Sequence, residues 1–251
     1  MKFRKGEMMQ FWNRSLLTIG NLNLIVLYCA ACIFQTIEKP IMSQYSFCPR
    51  NVLFLYEGYR CFTHVFLHEN IIHSGMNLML IIIVGPIVEK KYGTIRFVLT
   101  VLWSIILIGA LNCFISLVLC FSLHADKLMY SHSVGFTGVL FHLGTLATGI
   151  SYLRRFKLYP WAAVVLLKFV FPKLSVLENL SGIILGNLQI YGALNKVLPS
   201  ISFVRKIEDW NTCKFAQIQK LYMPAPSIPL ARPKIRANKK WRAVTKETLK
   251  W

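Results

Sequence analysis

Acidic residues are scarce in this chain, and charged residues of either sign are few. Asp and Glu together number 10 among 251 residues, Lys and Arg number 29, and 55% of the sequence is hydrophobic. Charged residues make up 16% of the sequence, whereas an average soluble domain has about 25%. This shortage excludes an ordinary soluble globular protein and favours a chain whose solvent is the membrane.

A disulfide framework is also missing. The chain has 7 cysteines, but most of them lie inside apolar runs, where a cysteine packs as a small hydrophobic residue. Cys48 and Cys61 are the pair that an oxidising lumen would allow to form a cross-link.

Long apolar runs are abundant. A helix needs roughly 20 mostly apolar residues to cross a bilayer. Runs of this kind, bounded by charged or turn residues, cover about 15–34, 60–86, 95–121, 134–153, 158–172 and 176–195. The fifth run is short and contains Lys168, which makes it the weakest span. The sequence therefore predicts an all-α polytopic membrane protein whose membrane domain covers residues 15–198.

The distribution of basic residues predicts the orientation. With residues 1–14 in the cytoplasm, the basic residues around 90–96, 154–157 and 196–251 also fall on the cytoplasmic side, as the positive-inside rule requires. Both termini are therefore expected in the cytoplasm. A charged start before an apolar core is also typical of a cleaved signal peptide, so that alternative stays open.

Residues 199–251 differ in composition from the rest of the chain. Lys and Arg far outnumber acidic residues there, and the prolines of MPAPSIPLARP, residues 223–233, predict an extended stretch. A solvated tail near anionic lipid headgroups is the first interpretation, and binding of a cytosolic adapter is the second. Nucleic acid is not an expected partner, because no recognition motif accompanies the charge.

The second predicted span carries the strongest pattern of polar residues. His64, His68, His73 and Asn77 recur every four or five residues, so that His73 and Asn77 lie one turn apart on one helical face. Polar groups in a bilayer face a protein interior or a cavity. Hydrogen bonding between helices is the simplest role for them. Zinc binding is an alternative, although no cysteine or carboxylate stands at a matching spacing.

In their order and spacing, these residues and several others resemble the rhomboid intramembrane proteases and their inactive relatives. The resemblance covers residues 55–192. Its elements are Tyr59-Arg60, the four polar residues just named, Gly85, Glu89, Gly93, Gly135-Phe136-Thr137-Gly138, Phe141, Gly182 and Gly186. It implies a six-helix rhomboid-like bundle around a recessed site that opens away from the cytoplasm. The sequence GFTGVLF, residues 135–141, most resembles that of the rhomboids of the endoplasmic reticulum. The endoplasmic reticulum or the secretory pathway is therefore the expected location.

The resemblance also implies roles for individual residues. In that family a Ser in Gly-x-Ser-Gly attacks the scissile carbonyl and a His on the sixth span takes its proton; these positions are Thr137 and Asn179 here. His73 and Asn77 fall on positions that help to bind the oxyanion. The other positions carried over line the site (His68, Gly135, Gly138 and Phe141) or are structural (Arg60, Glu89, Gly93, Gly182 and Gly186).

These two positions, which form the catalytic Ser–His dyad in the family, do not carry the residues that peptide hydrolysis needs. The amide of Asn179 has no basic nitrogen and cannot take a proton from a nucleophile. All six histidines precede residue 143, and His142 is expected to face away from Thr137, which lies five residues earlier on the same helix. Threonine nucleophiles are usually activated by an N-terminal amine. Two departures at once predict an inactive protein.

The leading hypothesis is a rhomboid pseudoprotease, without cofactor or metal, that binds transmembrane helices of client proteins and affects their trafficking or degradation. Derlins and inactive rhomboids are the family precedents. An active endopeptidase that uses Thr137 with another base is the first alternative. A channel or transporter is the second, although the predicted spans contain no paired acidic residues.

Overall fold

The computed structural model describes residues 18–38, 42–149, 158–171, 174–196, 200–209 and 222–225. Most of these residues are helical, and within these ranges the one β pairing is an isolated bridge between Phe47 and Ser133. The predictions for residues 1–17, for 150–157 and for most of the tail lie outside the described residues.

Ten α-helices follow one another in the described part of the chain. They are α1 (Ile19–Glu38), α2 (Met42–Tyr45), α3 (Pro49–Phe54), α4 (Arg60–Thr63), α5 (Ile71–Tyr92), α6 (Thr94–Leu123), α7 (Thr137–Thr148), α8 (Tyr159–Val170), α9 (Val176–Ile190) and α10 (Ile201–Glu208). Three of them, α1, α5 and α6, are long and apolar enough to cross a membrane, and α8 is a shorter apolar helix. Each of the predicted spans overlaps at least one of these helices.

The second long helix begins later than its pattern predicts. In place of one helix over 60–86, the chain forms α4, a 3₁₀ turn and an irregular stretch before α5 begins. Asn70 sets the beginning of α5, because its side-chain oxygen accepts a hydrogen bond from the backbone N–H of His73 at 2.8 Å. His64 and His68 therefore lie before the helix that carries the other two residues of the pattern.

The first turn of α1 is capped by a side chain from another helix. The carboxylate of Glu89, fully buried near the end of α5, accepts hydrogen bonds from the backbone N–H groups of Gly20 and Asn21 at 2.9 and 2.7 Å. The hydroxyls of Thr18 and Thr94 donate to it at 2.5 and 2.7 Å. Because the first N–H groups of a helix have no partner within the helix and attract negative charge, Glu89 fixes the beginning of α1 to the end of α5.

Glycines allow α7 and α9 to pack as the closest helix pair. A Cβ built on Gly182 would lie 2.1 Å from the carbonyl oxygen of Gly138, and one built on Gly186 would lie 2.6 Å from Cβ of Thr145. Small residues let helix backbones approach in this way. Since successive glycines of α9 meet successive residues of α7, the two helices run in the same direction.

Part of the tail packs on the bundle, so the interpretation of residues 199–251 as a solvated tail does not hold for α10. The hydroxyl of Ser200 caps α10 by accepting a hydrogen bond from the backbone N–H of Phe203 at 3.2 Å. α10 packs against α6 and buries Val204 completely. Residues 222–225 are not helical and lie on the turn between α5 and α6.

Candidate functional site

The GFTG segment leads into α7 and lies against α5. Gly135 has a φ of +119°, which favours glycine, and its N–H donates to the carbonyl oxygen of His64 at 2.9 Å. A Cβ built on Gly135 would lie 2.8 Å from Cε1 of His73 and 3.8 Å from Nδ2 of Asn77. The absence of a side chain therefore lets His73 and Asn77 lie directly against the segment.

Thr137 and Asn179 lie at the same end of the closest helix pair. Thr137 is the first residue of α7, and Asn179 lies in the first turn of α9; both side chains are buried. Gly138 follows Thr137, and Gly182 follows Asn179 by one turn. Because these two glycines touch, the structure places the two dyad positions on neighbouring turns of α7 and α9.

Several buried polar atoms around this point have no hydrogen-bond partner among the described residues. They are Nε2 of His68, both ring nitrogens of His73, and both amide atoms of Asn77 and of Asn179. An unsatisfied buried polar group costs about 1–3 kcal/mol. Amide and imidazole groups of this kind can bind the polar atoms of a ligand, such as peptide groups.

His68 is held in place by α1. Its backbone N–H donates to Oε1 of Gln35 at 2.9 Å, and its carbonyl oxygen accepts from Nε2 of Gln35 at 2.7 Å. The ring of Tyr28 packs edge-on against the His68 ring, with centroids 4.8 Å apart. Burial, together with the neighbouring His73, lowers the pKa of His68 to about 4, so its imidazole is neutral at physiological pH.

Glu178 adds a buried carboxyl group that the family pattern does not predict. Its Oε1 lies 3.4 Å from Nε2 of His64, and both side chains are almost fully buried. Nδ1 of His64 lies 2.7 Å from the carbonyl oxygen of Arg60; because a carbonyl only accepts, Nδ1 carries a hydrogen. Nε2 of His64 and Oε1 of Glu178 thus face each other as a buried pair. The sequence signal was an acidic residue in an apolar span, next to Asn179.

Replacements of Glu178 test this buried pair. We expect Glu178→Gln to keep the stability of the wild type, because the glutamine N–H donates to Nε2 of His64. Glu178→Leu leaves that nitrogen buried without a partner and is expected to cost about 1–3 kcal/mol. Thermal unfolding in detergent micelles measures the difference, with Glu69→Gln at an exposed position as the control. Equal stability of the Gln and Leu variants would contradict the pairing of His64 with Glu178.

Two further histidines are engaged away from Thr137. His142 lies between α6 and α9, with Nδ1 at the hydroxyl of Ser104 and Nε2 2.8 Å from Oε1 of Gln189. These partners agree with the expectation that His142 faces away from Thr137. Nδ1 of His132 lies 2.7 Å from the hydroxyl oxygen of Ser46.

Two phenylalanines cover the site. Phe141, one turn after Thr137, packs against Val164 of α8 and Ile183 of α9. The ring of Phe171, directly after α8, lies 5.6 Å from the ring of His73 between centroids. The sequence pattern does not predict the second contact; its signal is an aromatic residue immediately before a proline, where a helix ends.

Arg60 organises the loop between α2 and α4. Its Nη1 donates to the carbonyl oxygens of Ser43 and Ser46 at 2.7 and 2.9 Å, and its Nε pairs with Glu57. Hydrogen bonds from the Arg60 guanidinium, and then from the Asn51 amide, hold the pKa of Glu57 below its usual range. Arg60 thus ties the loop to α4, beside the histidine that pairs with α9.

Cys48 and Cys61, the pair that an oxidising lumen would allow to form a cross-link, are both free. The thiol of Cys48 donates to the carbonyl oxygen of Met129 at 3.5 Å, and Cys61 lies against Gly109. Among the described residues, no group of three or more His, Cys, Asp or Glu side chains is arranged to hold a metal ion.

Comparison with known proteins identifies the family of this chain. The sequence model of the Rhomboid domain matches residues 56–196, more than half of the chain. The chain is also similar to Rhomboid-like protein 15 of Arabidopsis thaliana, with 27% identity over 179 residues that cover 64% of this chain and 43% of that relative. It therefore spans less than half of the length of that relative. Since the matched region contains the whole site from Arg60 to Gly186, the chain belongs to the rhomboid family of integral membrane proteins.

Proposed function

We propose that this chain is a rhomboid pseudoprotease that binds transmembrane helices of client proteins and affects their trafficking or degradation. The observation that carries the proposal is Asn179, fully buried at the position where active members of the family have their histidine base. An amide cannot take a proton from a nucleophile and return it to a leaving amine. The hydroxyl of Thr137 therefore lacks the partner that activates it in an active rhomboid.

The hydrogen bonds of the histidines support the proposal. His64 pairs with Glu178, His132 with Ser46, and His142 with Ser104 and Gln189. His64 and His142, each with a partner at both ring nitrogens, are therefore not free to serve as the base for Thr137.

Binding of a client requires only the packed helices and the polar side chains that line the site. The unpartnered amide and imidazole groups would hydrogen-bond to peptide groups of a client, which need partners inside a bilayer wherever a helix unwinds. Phe171 has to leave His73 for a client to reach the lining. The bilayer and the client are thus the two partners of the membrane domain.

We also propose that both termini face the cytoplasm and that the protein resides in the endoplasmic reticulum or the secretory pathway. The positions of the basic residues support the orientation, and the GFTGVLF motif supports the location. The basic tail would then meet anionic lipid headgroups or a cytosolic adapter.

An active endopeptidase is the second candidate function, and His73 favours it. Both ring nitrogens of His73 lack a partner among the described residues. The ring lies against Gly135, two residues before Thr137. An imidazole so placed has the chemistry of a base for the threonine hydroxyl.

Cleavage of a single-span substrate in proteoliposomes separates the two functions. We expect no cleavage by the wild type, by Thr137→Ser or by Asn179→His, and cleavage by the variant with both changes, because only that variant has the full dyad. Removal of one member of such a group costs about 10⁶-fold in turnover in subtilisin, so the contrast should span orders of magnitude. Cleavage by the wild type that Thr137→Ala abolishes would overturn the pseudoprotease and support the endopeptidase.

Photo-cross-linking of the same substrate tests client binding separately. With a photoreactive residue at position 141, we expect the wild type to cross-link the substrate without cutting it. A wild type that neither cuts nor cross-links the substrate would contradict client binding.

A further inference from the structure

The turn between α5 and α6 holds a segment from far along the chain. The backbone N–H of Thr94 donates to the carbonyl oxygen of Met223 at 2.7 Å, and the N–H of Met223 donates to the hydroxyl oxygen of Thr94 at 2.9 Å. One residue of the turn and one residue of the tail therefore exchange two hydrogen bonds. Residues 222–225 are called the strap below.

Gly93 leaves the space that the strap occupies. Its φ of +88° favours glycine. A Cβ built on it would lie 3.0 Å from Cα and N of Ala225 and 3.0 Å from the carbonyl oxygen of Pro224. A side chain at position 93 would therefore push the strap off the turn.

The end of α10 holds both ends of the strap. Oε1 of Glu208 accepts hydrogen bonds from the hydroxyl of Tyr222 at 2.7 Å and from the N–H of Ala225 at 2.9 Å. Glu208 is 7% exposed, so these bonds are shielded from water. The turn and the end of α10 together form a binding site for a short segment that offers backbone N–H and C=O groups.

Hydrogen bonds continue from the strap to the first turn of α1. The Thr94 hydroxyl, which accepts from Met223, donates its own hydrogen to Oε1 of Glu89. The same oxygen accepts from the N–H of Gly20, and the other carboxylate oxygen accepts from Asn21. Hydrogen bonds in such a chain polarise and strengthen one another.

α1 in turn supports the candidate site. The ring of Tyr28 lies 4.8 Å from the ring of His68 and 6.0 Å from that of Phe136 in the GFTG segment. Gln35 makes two hydrogen bonds to the backbone of His68. A change in the position of α1 would reach both sides of the site.

We propose that the turn between α5 and α6 is a docking site whose occupant is the strap, and that docking fixes the first turn of α1. Release of the strap then loosens the helix that supports the candidate site. The tail of this chain becomes a regulatory element of the membrane domain, whatever activity that domain has, so the inference stands apart from the proposed function.

Hydrogen exchange of the full-length protein in detergent micelles tests the proposal with Met223→Pro. Proline removes the N–H that bonds to Thr94 but keeps the carbonyl, and Met223→Leu is the matched control that keeps both. We expect exchange to become about fivefold faster both in the strap and at Gly20 and Asn21, the factor that the loss of one ordinary hydrogen bond gives. The leucine variant should match the wild type.

Each other result decides against the proposal. Faster exchange in the strap with an unchanged first turn of α1 would overturn the coupling, and unchanged exchange in the strap would overturn the docking. Faster exchange throughout α7 as well would mean general destabilisation and would also overturn the coupling. Thr94→Val breaks both hydrogen bonds of the hydroxyl and should reproduce the proline variant, whereas Thr94→Ser should match the wild type.

Discussion

Gly182→Ala is expected to cost the membrane domain about 3 kcal/mol or more of its stability. A Cβ at this position would lie 2.1 Å from the carbonyl oxygen of Gly138, and the obstacle is backbone rather than the end of a flexible side chain. Overpacking of a core typically costs about 1–3 kcal/mol. We expect the upper end here because α7 and α9 must separate along the line where they pack most closely.

Gly144→Ala on α7 is the matched control for this prediction. No atom lies within 4 Å of a Cβ built at that position, so alanine should stabilise the helix by about 0.5–1 kcal/mol. Unfolding in micelles, followed by circular dichroism, measures both changes. Similar effects of the two substitutions would show that close packing of α7 on α9 is not required.

The same substitution should also affect chemistry at the site. Thr137 and Asn179 owe their proximity to the contact between Gly138 and Gly182. Gly182→Ala added to the variant that carries Thr137→Ser and Asn179→His should therefore abolish the cleavage expected of that variant.

Glu89→Gln is the second change with a large expected effect. The carboxylate accepts from four donors, two on each oxygen. A glutamine presents an NH₂ group to one backbone N–H and one threonine hydroxyl; the hydroxyl can turn and accept, but the backbone N–H then faces another donor in a fully buried place, and both are left unsatisfied. At about 1–3 kcal/mol for each unsatisfied group, we expect a loss of about 3 kcal/mol.

Two measurements check the Glu89 prediction. Chemical unfolding gives the free energy of unfolding, and hydrogen exchange at Gly20 and Asn21 shows whether the loss is located in the first turn of α1. Glu69→Gln makes the same chemical change on an exposed side chain and should leave stability close to that of the wild type. A Glu89→Gln protein as stable as this control would contradict the capping role.

Hydropathy located the helices but not the beginning of α5. Residues 60–70 mix apolar residues with Arg60, His64, His68, Glu69 and Asn70, and a run judged over roughly 20 residues does not show where within it the chain breaks. The signal was local: Asn70 is a preferred residue for the first position of a helix. An argument from capping would have separated His64 and His68 from the helix of His73.

The candidate site likewise has residues that the sequence pointed to and residues that it missed. The motif order pointed to Thr137 and Asn179, which lie at the same end of α7 and α9, two helices whose close packing follows from their glycines; the roles of the two residues stay predictions. Glu178 and Phe171 were missed because their partners, His64 and His73, lie far away along the chain. The strap was missed for the same reason, since Met223 and Thr94 are separated by 129 residues and composition alone predicts a solvated tail.

The cap on α1 also bears on the order in which the chain is assembled. Thr18, Gly20 and Asn21 precede Glu89 by 71, 69 and 68 residues. While the protein is being synthesised, these donors therefore leave the ribosome long before their acceptor exists and must use water or lipid headgroups instead. α1 therefore takes its final place only after α5 has been made.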